Sequence, residues 1–256
     1  MKRKATFLNQ NSPLNTCMIQ AQTPSEAIRL IRCAAFDGAD AFGFQAEQLS
    51  TEFQTEENFK KIFSYTSGKP IYATNYGTGC NKEKSGDELS KGLLTLARSG
   101  AHLIDIFGDL YGKNTLDITY NLEAVSKQMS LAERIHEMGC EVLFSTHTMR
   151  FMKADEVIEM ALEHRKRGAD ISKIVAAANT EDEELENLKT ISLLRRELDF
   201  HFLFLCAGTR TKLVRTIGPM LGCCMWLSTQ YSPISTVLQP HCRAIRAIAD
   251  NFDYDR

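Results

Sequence analysis

A chain of 256 residues, 43% of them hydrophobic, carries enough apolar side chains for one large core, a size at which single (β/α)8 barrels are common. Its 30 Lys and Arg against 32 Asp and Glu leave a formal charge of −2, which excludes a general electrostatic pull toward nucleic acid or an anionic membrane and points to a small-molecule partner. No apolar run reaches the length of a membrane span or a secretory h-region, so a cytoplasmic protein is expected; the 8 scattered cysteines include no CxxC pair and read as reduced thiols.

In chain order, short apolar runs bounded by turn residues alternate with longer amphipathic stretches, the pattern of βα units around a parallel sheet. The first strand is placed over 17–21, before a helix opening at Thr23-Pro24, where Thr23 can cap and Pro24 suits the first helical position. The second strand covers 41–45, with a helix through 57–63. The third covers 70–74, followed by a glycine-containing loop over 75–85 and a helix from Asp87 to Gly100. Strand four, 102–107, precedes a long helix through 129–136 that stops at Gly139. Strand five, 141–146, runs into His147 and a helix over 153–167; strand six is 172–177, with a helix from 182 to 194. Strand seven covers 200–205, strand eight lies near 223–227, and a final helix runs from 240 to 248.

Eight such rounds predict a single (β/α)8 TIM barrel domain over residues 1–256, although an open doubly wound sheet shares the same local signals. In a barrel the chemistry gathers at the C-terminal ends of the strands.

Lys173 stands inside the sixth strand, in Asp170-Ile171-Ser172-Lys173-Ile174-Val175-Ala176-Ala177, among small and β-branched residues. Burying an ammonium costs several kcal/mol on an order-of-magnitude basis, and the group escapes that cost by losing its proton. A lysine with a lowered pKa is a nucleophilic amine able to condense with a ketone. The alternative is a lysine at the start of a strand whose ammonium reaches solvent at the lower rim. His147, in Ser145-Thr146-His147-Thr148, ends strand five one strand away, where a neutral imidazole relays protons. His102 and His201 begin strands at the opposite rim, and His136, His164 and His241 fall in predicted helices. None has a partner at metal-ligand spacing, so neither metal nor cofactor is expected.

Strands five to seven resemble the type I 3-dehydroquinate dehydratase family, Schiff-base-forming (β/α)8 enzymes of the shikimate pathway. Ser145-Thr146-His147 is similar to that family's Ser-x-His turn, and Gly168-Ala169-Asp170-Ile171-Ser172-Lys173-Ile174 to its Gly-Ala-Asp-x-x-Lys-x segment, with a similar gap between them. Leu213-Val214-Arg215, with Gly222 beyond it, resembles the segment whose arginine holds the substrate carboxylate; taken alone, Arg210, Lys212 and Arg215 also fit a solvated helix face.

The pattern breaks in three places. Gly43 and Gln45 stand where the family has a Glu-x-Arg pair on strand two. Tyr76, in Thr74-Asn75-Tyr76, stands where it has a second arginine, and Phe107 replaces the strand-four carboxylate that orients the histidine. The resemblance therefore implies a class I lyase eliminating water from a cyclic or keto-acid substrate, with Lys173 and His147 catalytic. Arg215, Gln45, Asn75 and Tyr76 would line a substrate site of altered specificity. A retro-aldol lyase on the same lysine and a non-catalytic metabolite-binding barrel are the alternatives. Homodimers are usual in the family, which implies a dimer here, and 230–236 corresponds to a substrate-covering loop.

Overall fold

The computed structural model describes residues 6–231 and 238–252. Of the expected covering segment, residues 232–236 lie outside them. Eight strands alternate with eight helices: β1 (Leu14–Ile19), α1 (Pro24–Phe36), β2 (Ala41–Gln45), α2 (Glu56–Phe63), β3 (Ile71–Thr74), α3 (Gly86–Ser99), β4 (Leu103–Phe107) and α4 (Leu122–Glu137) come first. They are followed by β5 (Glu141–His147), α5 (Ala154–Lys166), β6 (Ile171–Ala177), α6 (Glu181–Glu197), β7 (His201–Ala207), α7 (Lys212–Leu221), β8 (Met225–Thr229) and α8 (Cys242–Ala249). All pairings are parallel, in the order β7-β6-β5-β4-β3-β2-β1-β8. The seam between the two outer strands is bridged where the Cys224 amide donates to the Phe202 carbonyl at 3.0 Å. This is the expected (β/α)8 barrel, nearly closed, and not an open sheet.

Local sequence explains the element ends. Thr23 caps α1 by accepting the Glu26 amide at 3.3 Å, with Pro24 opening the helix as expected. Ser85 and Glu88 form a capping box at the start of α3, and Gly100, at φ +115°, ends that helix in a conformation that favours glycine. Two expectations move. β1 starts at Leu14, three residues before the strand placed at 17–21, and His241 is the N-cap of α8 instead of lying within it.

Alternation along the strands divides the core into two layers. Phe42, Phe44, Ile104 and Ile106 pack outward with helix residues, Phe44 meeting the rings of Phe59 and Phe63 edge-on at 5.8 and 5.4 Å. Met18, Tyr72, Leu103, Leu143 and Ile171 share an inner cluster with Phe7. Phe7 comes from the segment before β1. Its backbone N–H donates to Glu141 Oε2 at 2.8 Å, and Thr6 Oγ1 donates to the same carboxylate, tying this segment to the first residue of β5. No helix among the described residues is long and apolar enough to cross a membrane.

Candidate active site

Period-2 alternation decides which residues of β5 and β6 enter the barrel. On β6, Ser172 points outward to His164 of α5, its Oγ 2.9 Å from Nδ1; on β5, Thr146 does the same, 3.0 Å from Nε2 of that ring. Their neighbours Lys173, Ser145 and His147 therefore face the interior, and Ser145 pairs in register with Lys173. The lower-rim alternative for Lys173 fails: only 5% of its side chain is exposed, and its amine ends inside the barrel.

Lys173 Nζ donates to Tyr76 Oη at 2.8 Å, to Tyr72 Oη at 3.0 Å and to Asp105 Oδ2 at 3.3 Å. Both tyrosines donate to that same carboxylate oxygen, Tyr76 at 2.5 Å, while Ser145 Oγ donates to the other oxygen at 2.5 Å. Burial lowers the Lys173 pKa and Asp105 pulls it back up, with burial the larger effect. The amine is thus not an isolated buried charge relieved only by proton loss. It has a counter-ion on β4, and that counter-ion is saturated with hydroxyl donors.

His147 is half-buried. Its backbone N–H donates to Asp117 Oδ2 at 2.7 Å, and its Nδ1 lies 3.1 Å from the same oxygen. Burial and the nearby Lys173 charge lower its pKa, and Asp117 opposes them, so the imidazole is held toward its neutral, basic form. The orienting carboxylate, read as lost to Phe107, is therefore supplied by the loop after β4. Asp117 holds this position with φ +56°, a left-handed conformation that Asp tolerates better than most residues.

Tyr76 links these parts. Its ring meets His147 edge-on at 5.4 Å and Phe107 at 5.8 Å between centroids. A cavity of about 340 Å³ opens here, lined among the described residues by Tyr76, Phe107, Asp109, Lys113, Asp117 and His147 with the backbone turn at Gly77-Thr78. The turn carrying Tyr76 is pinned by Glu47, which accepts from Thr74 Oγ1 at 2.9 Å, Gln45 Nε2 at 3.1 Å and the Tyr76 amide at 3.4 Å. Burial pushes the Glu47 carboxyl above its ordinary pKa.

Arg215 is not on a solvated helix face. It is 7% exposed, with Nε donating to the Cys206 carbonyl of β7 at 2.7 Å, and near enough to Lys173 to weigh on its charge. Burial brings its pKa down to about 10, and its guanidinium meets no carboxylate among the described residues. Gln45 and Asn75 are placed differently from the other candidates. Gln45 is engaged with Glu47, and its Oε1 is buried without a partner. Asn75 donates to the Leu89 carbonyl at 2.9 Å and accepts from Asn81 at 2.8 Å, so both ends of its amide brace the loop. Of the six residues expected in the site, Tyr76 and His147 line the cavity, while Gln45, Asn75, Lys173 and Arg215 do not. Sequence reasoning missed Asp105, Tyr72 and Asp117. Among the described residues, no group of three or more His, Cys, Asp or Glu is arranged to hold a metal ion.

A nearly closed (β/α)8 barrel with an interior lysine and a carboxylate-held histidine on adjacent strands defines the class of protein. The chain belongs to the type I 3-dehydroquinase family, whose model matches residues 16–250. No curated protein sequence matches it. Solved structures do: 3-dehydroquinate dehydratase from Geobacillus kaustophilus superposes with a TM-score of 0.78 at 16% identity, covering 95% of this chain and 93% of that one. The type I enzyme from Clostridium difficile, solved with covalently modified comenic acid, gives 0.79 at 16% identity over 98% of both chains. The Enterococcus faecalis enzyme gives 0.74 at 15% identity over 95% of both. At these identities the structural likeness establishes the fold.

Proposed function

We propose that this chain is a Schiff-base-forming dehydratase acting on a cyclic keto acid related to 3-dehydroquinate, with a pocket changed in specificity. The observation that carries this reading is the interior amine of Lys173, in contact with a tyrosine that lines the cavity beside His147. In this mechanism Lys173 adds to the substrate ketone and water leaves, giving a protonated imine. The cationic nitrogen then acts as the electron sink while His147, neutral and held by Asp117, removes a proton from the adjacent carbon. The resulting enamine expels a hydroxyl group from the next carbon, which takes that proton from His147 and departs as water. Hydrolysis of the imine returns Lys173.

Arg215 fits the substrate carboxylate, because a buried guanidinium without a protein carboxylate is best satisfied by a bidentate anion. The proposed change of specificity rests on positions 43, 76 and 107. Gly43 brings no side chain, a Cβ there would fall 2.2 Å from Met18 Sδ, and Phe107 and Tyr76 present aromatic surface where the family resemblance implies charged groups. The pocket therefore favours a substrate with fewer ring hydroxyls than 3-dehydroquinate.

The test is borohydride reduction in the presence of 3-dehydroquinate and of simpler keto acids, with peptide mass spectrometry. An adduct on Lys173, absent from Lys173→Ala, supports the reading. Absence of a Lys173 adduct with all these ketones and with a metabolite extract sinks it in favour of a non-catalytic barrel.

A further inference from the structure

Joining a lysine ammonium to a ketone moves two protons from nitrogen to oxygen: the carbonyl oxygen leaves as water and the nitrogen keeps one proton as the iminium. Something must carry them between two atoms that are bonded to the same carbon and cannot exchange directly in good geometry. Three groups touch Nζ: Asp105, Tyr72 and Tyr76. Asp105 and Tyr72 are completely buried and do not line the cavity. Tyr76 alone among the three has its hydroxyl on Nζ and Asp105 and also lines the space a ketone would enter. His147 lines that space too, but among the described residues no hydrogen bond joins it to Lys173 or Asp105.

We infer that Tyr76 carries protons between the Lys173 nitrogen and the substrate carbonyl oxygen as the imine forms, using Asp105 as the store; this rests on the Schiff-base reading above. Lys173 first gives one proton to Asp105, and the free amine attacks the carbonyl carbon. As the C–N bond forms and the C=O π bond breaks, the oxygen takes the Tyr76 proton, and protonated Asp105 restores it. A second proton leaves the nitrogen by the same route, the carbinolamine oxygen departs as water, and the nitrogen lone pair closes the iminium. Charge balances at each end: ammonium, ketone and carboxylate become iminium, water and carboxylate. Ser145, 3.3 Å from Tyr76 Oη and 2.5 Å from Asp105, steadies the phenol between its two partners. His147 is left free for the carbon acid.

Tyr72 supplies the control, since it has the same two hydrogen bonds without access to the cavity. The experiment is the rate of borohydride-trapped adduct on Lys173 in this 256-residue chain, with saturating 3-dehydroquinate or pyruvate as the probe, across the pH range. Tyr76→Phe should slow trapping by about 100-fold, the ordinary worth of a general acid, with the deficit persisting at high pH where lysine ionisation no longer limits. Tyr72→Phe should trap at close to the wild-type rate. Equal slowing in the two tyrosine variants would mean that both merely hold the lysine, and a wild-type rate in Tyr76→Phe would remove the relay; either overturns the inference. If Tyr76→Phe does not fold, the solvent deuterium effect on wild-type trapping decides: a slowing of roughly twofold or more supports a proton in flight, and none overturns it. A wild-type protein that traps neither probe brings down the Schiff-base reading and the relay together, an outcome distinct from trapping that survives the loss of Tyr76.

Discussion

A single oxygen of Asp117 takes both the backbone N–H of His147, at 2.7 Å, and lies 3.1 Å from its Nδ1. That double contact orients the ring, and a carboxylate at Nδ1 favours the tautomer with its proton there, which in the proposed mechanism leaves Nε2 as the base. Asp117→Asn keeps the shape and removes the charge, so turnover should fall roughly tenfold to a hundredfold, about 1–3 kcal/mol in the barrier. Borohydride trapping on Lys173 should survive. Because Asp117 raises the His147 pKa, its loss should move the basic group's limb of the pH–rate profile to lower pH. An unchanged profile and rate would show that this carboxylate does not position the imidazole.

The lysine was legible in the sequence because a charge inside an apolar strand breaks a burial rule. The same rule applied to Asp105, in Leu103-Ile104-Asp105-Ile106-Phe107, would have found its counter-ion, since one buried charge implies another. Period-2 alternation also places Tyr72 and Asp105 facing inward on β3 and β4, once those strands are assigned. Asp117 was not legible. It reaches His147 from a loop whose path depends on contacts far away in sequence, where Gln128 donates to the Gly108 and Leu110 carbonyls and Arg167 to Gln128. Arg215 was found by resemblance, but its burial against β7 needed the helix to be docked.

Arg215 donates Nε to the Cys206 carbonyl, and in the proposed function its terminal nitrogens take the substrate carboxylate. Arg215→Lys preserves charge but loses the planar fork, so the change should appear chiefly in KM, with kcat/KM lowered roughly tenfold to a hundredfold. Steady-state kinetics with the acid substrate and with its amide would check this. The amide should lose most of the wild-type advantage; a variant with unaltered KM would assign the carboxylate to another group.

Met18 fills the space that a side chain at position 43 would need. Gly43→Ala should therefore cost about 1–3 kcal/mol of stability as the thioether is pushed from its place. Met18→Ala should cost a similar amount through the cavity it leaves. Since the two changes compensate in volume, the double variant should be more stable than the sum of the single effects predicts, by on the order of 1 kcal/mol. Urea unfolding of the four proteins measures that coupling, and strict additivity would show that the two positions do not pack together.

His164 offers a prediction about acid stability that does not involve turnover. Buried between Thr146 and Ser172, its pKa is pushed down to about 3 from an ordinary 6.5. The unfolded chain therefore binds a proton that the folded chain refuses, and the stabilisation present above pH 6.5 is lost as pH falls toward 3, a change of several kcal/mol on an order-of-magnitude basis. Glu141 works in the opposite direction. Burial raises its pKa from 4.5 to about 7, so the folded state keeps a proton that the unfolded state gives up, and stability declines as pH rises through that interval. The two effects overlap between pH 4.5 and 6.5 and partly cancel, so wild-type melting temperatures should be flatter there than at lower pH, where His164 acts without that offset. Glu141→Gln should restore a steady fall with acid through the overlap. His164→Gln, if the neutral amide keeps the Thr146 and Ser172 bonds, should remove the steep loss at lower pH. A His164→Gln protein that loses stability in acid as steeply as the wild type would place the acid-sensitive group elsewhere.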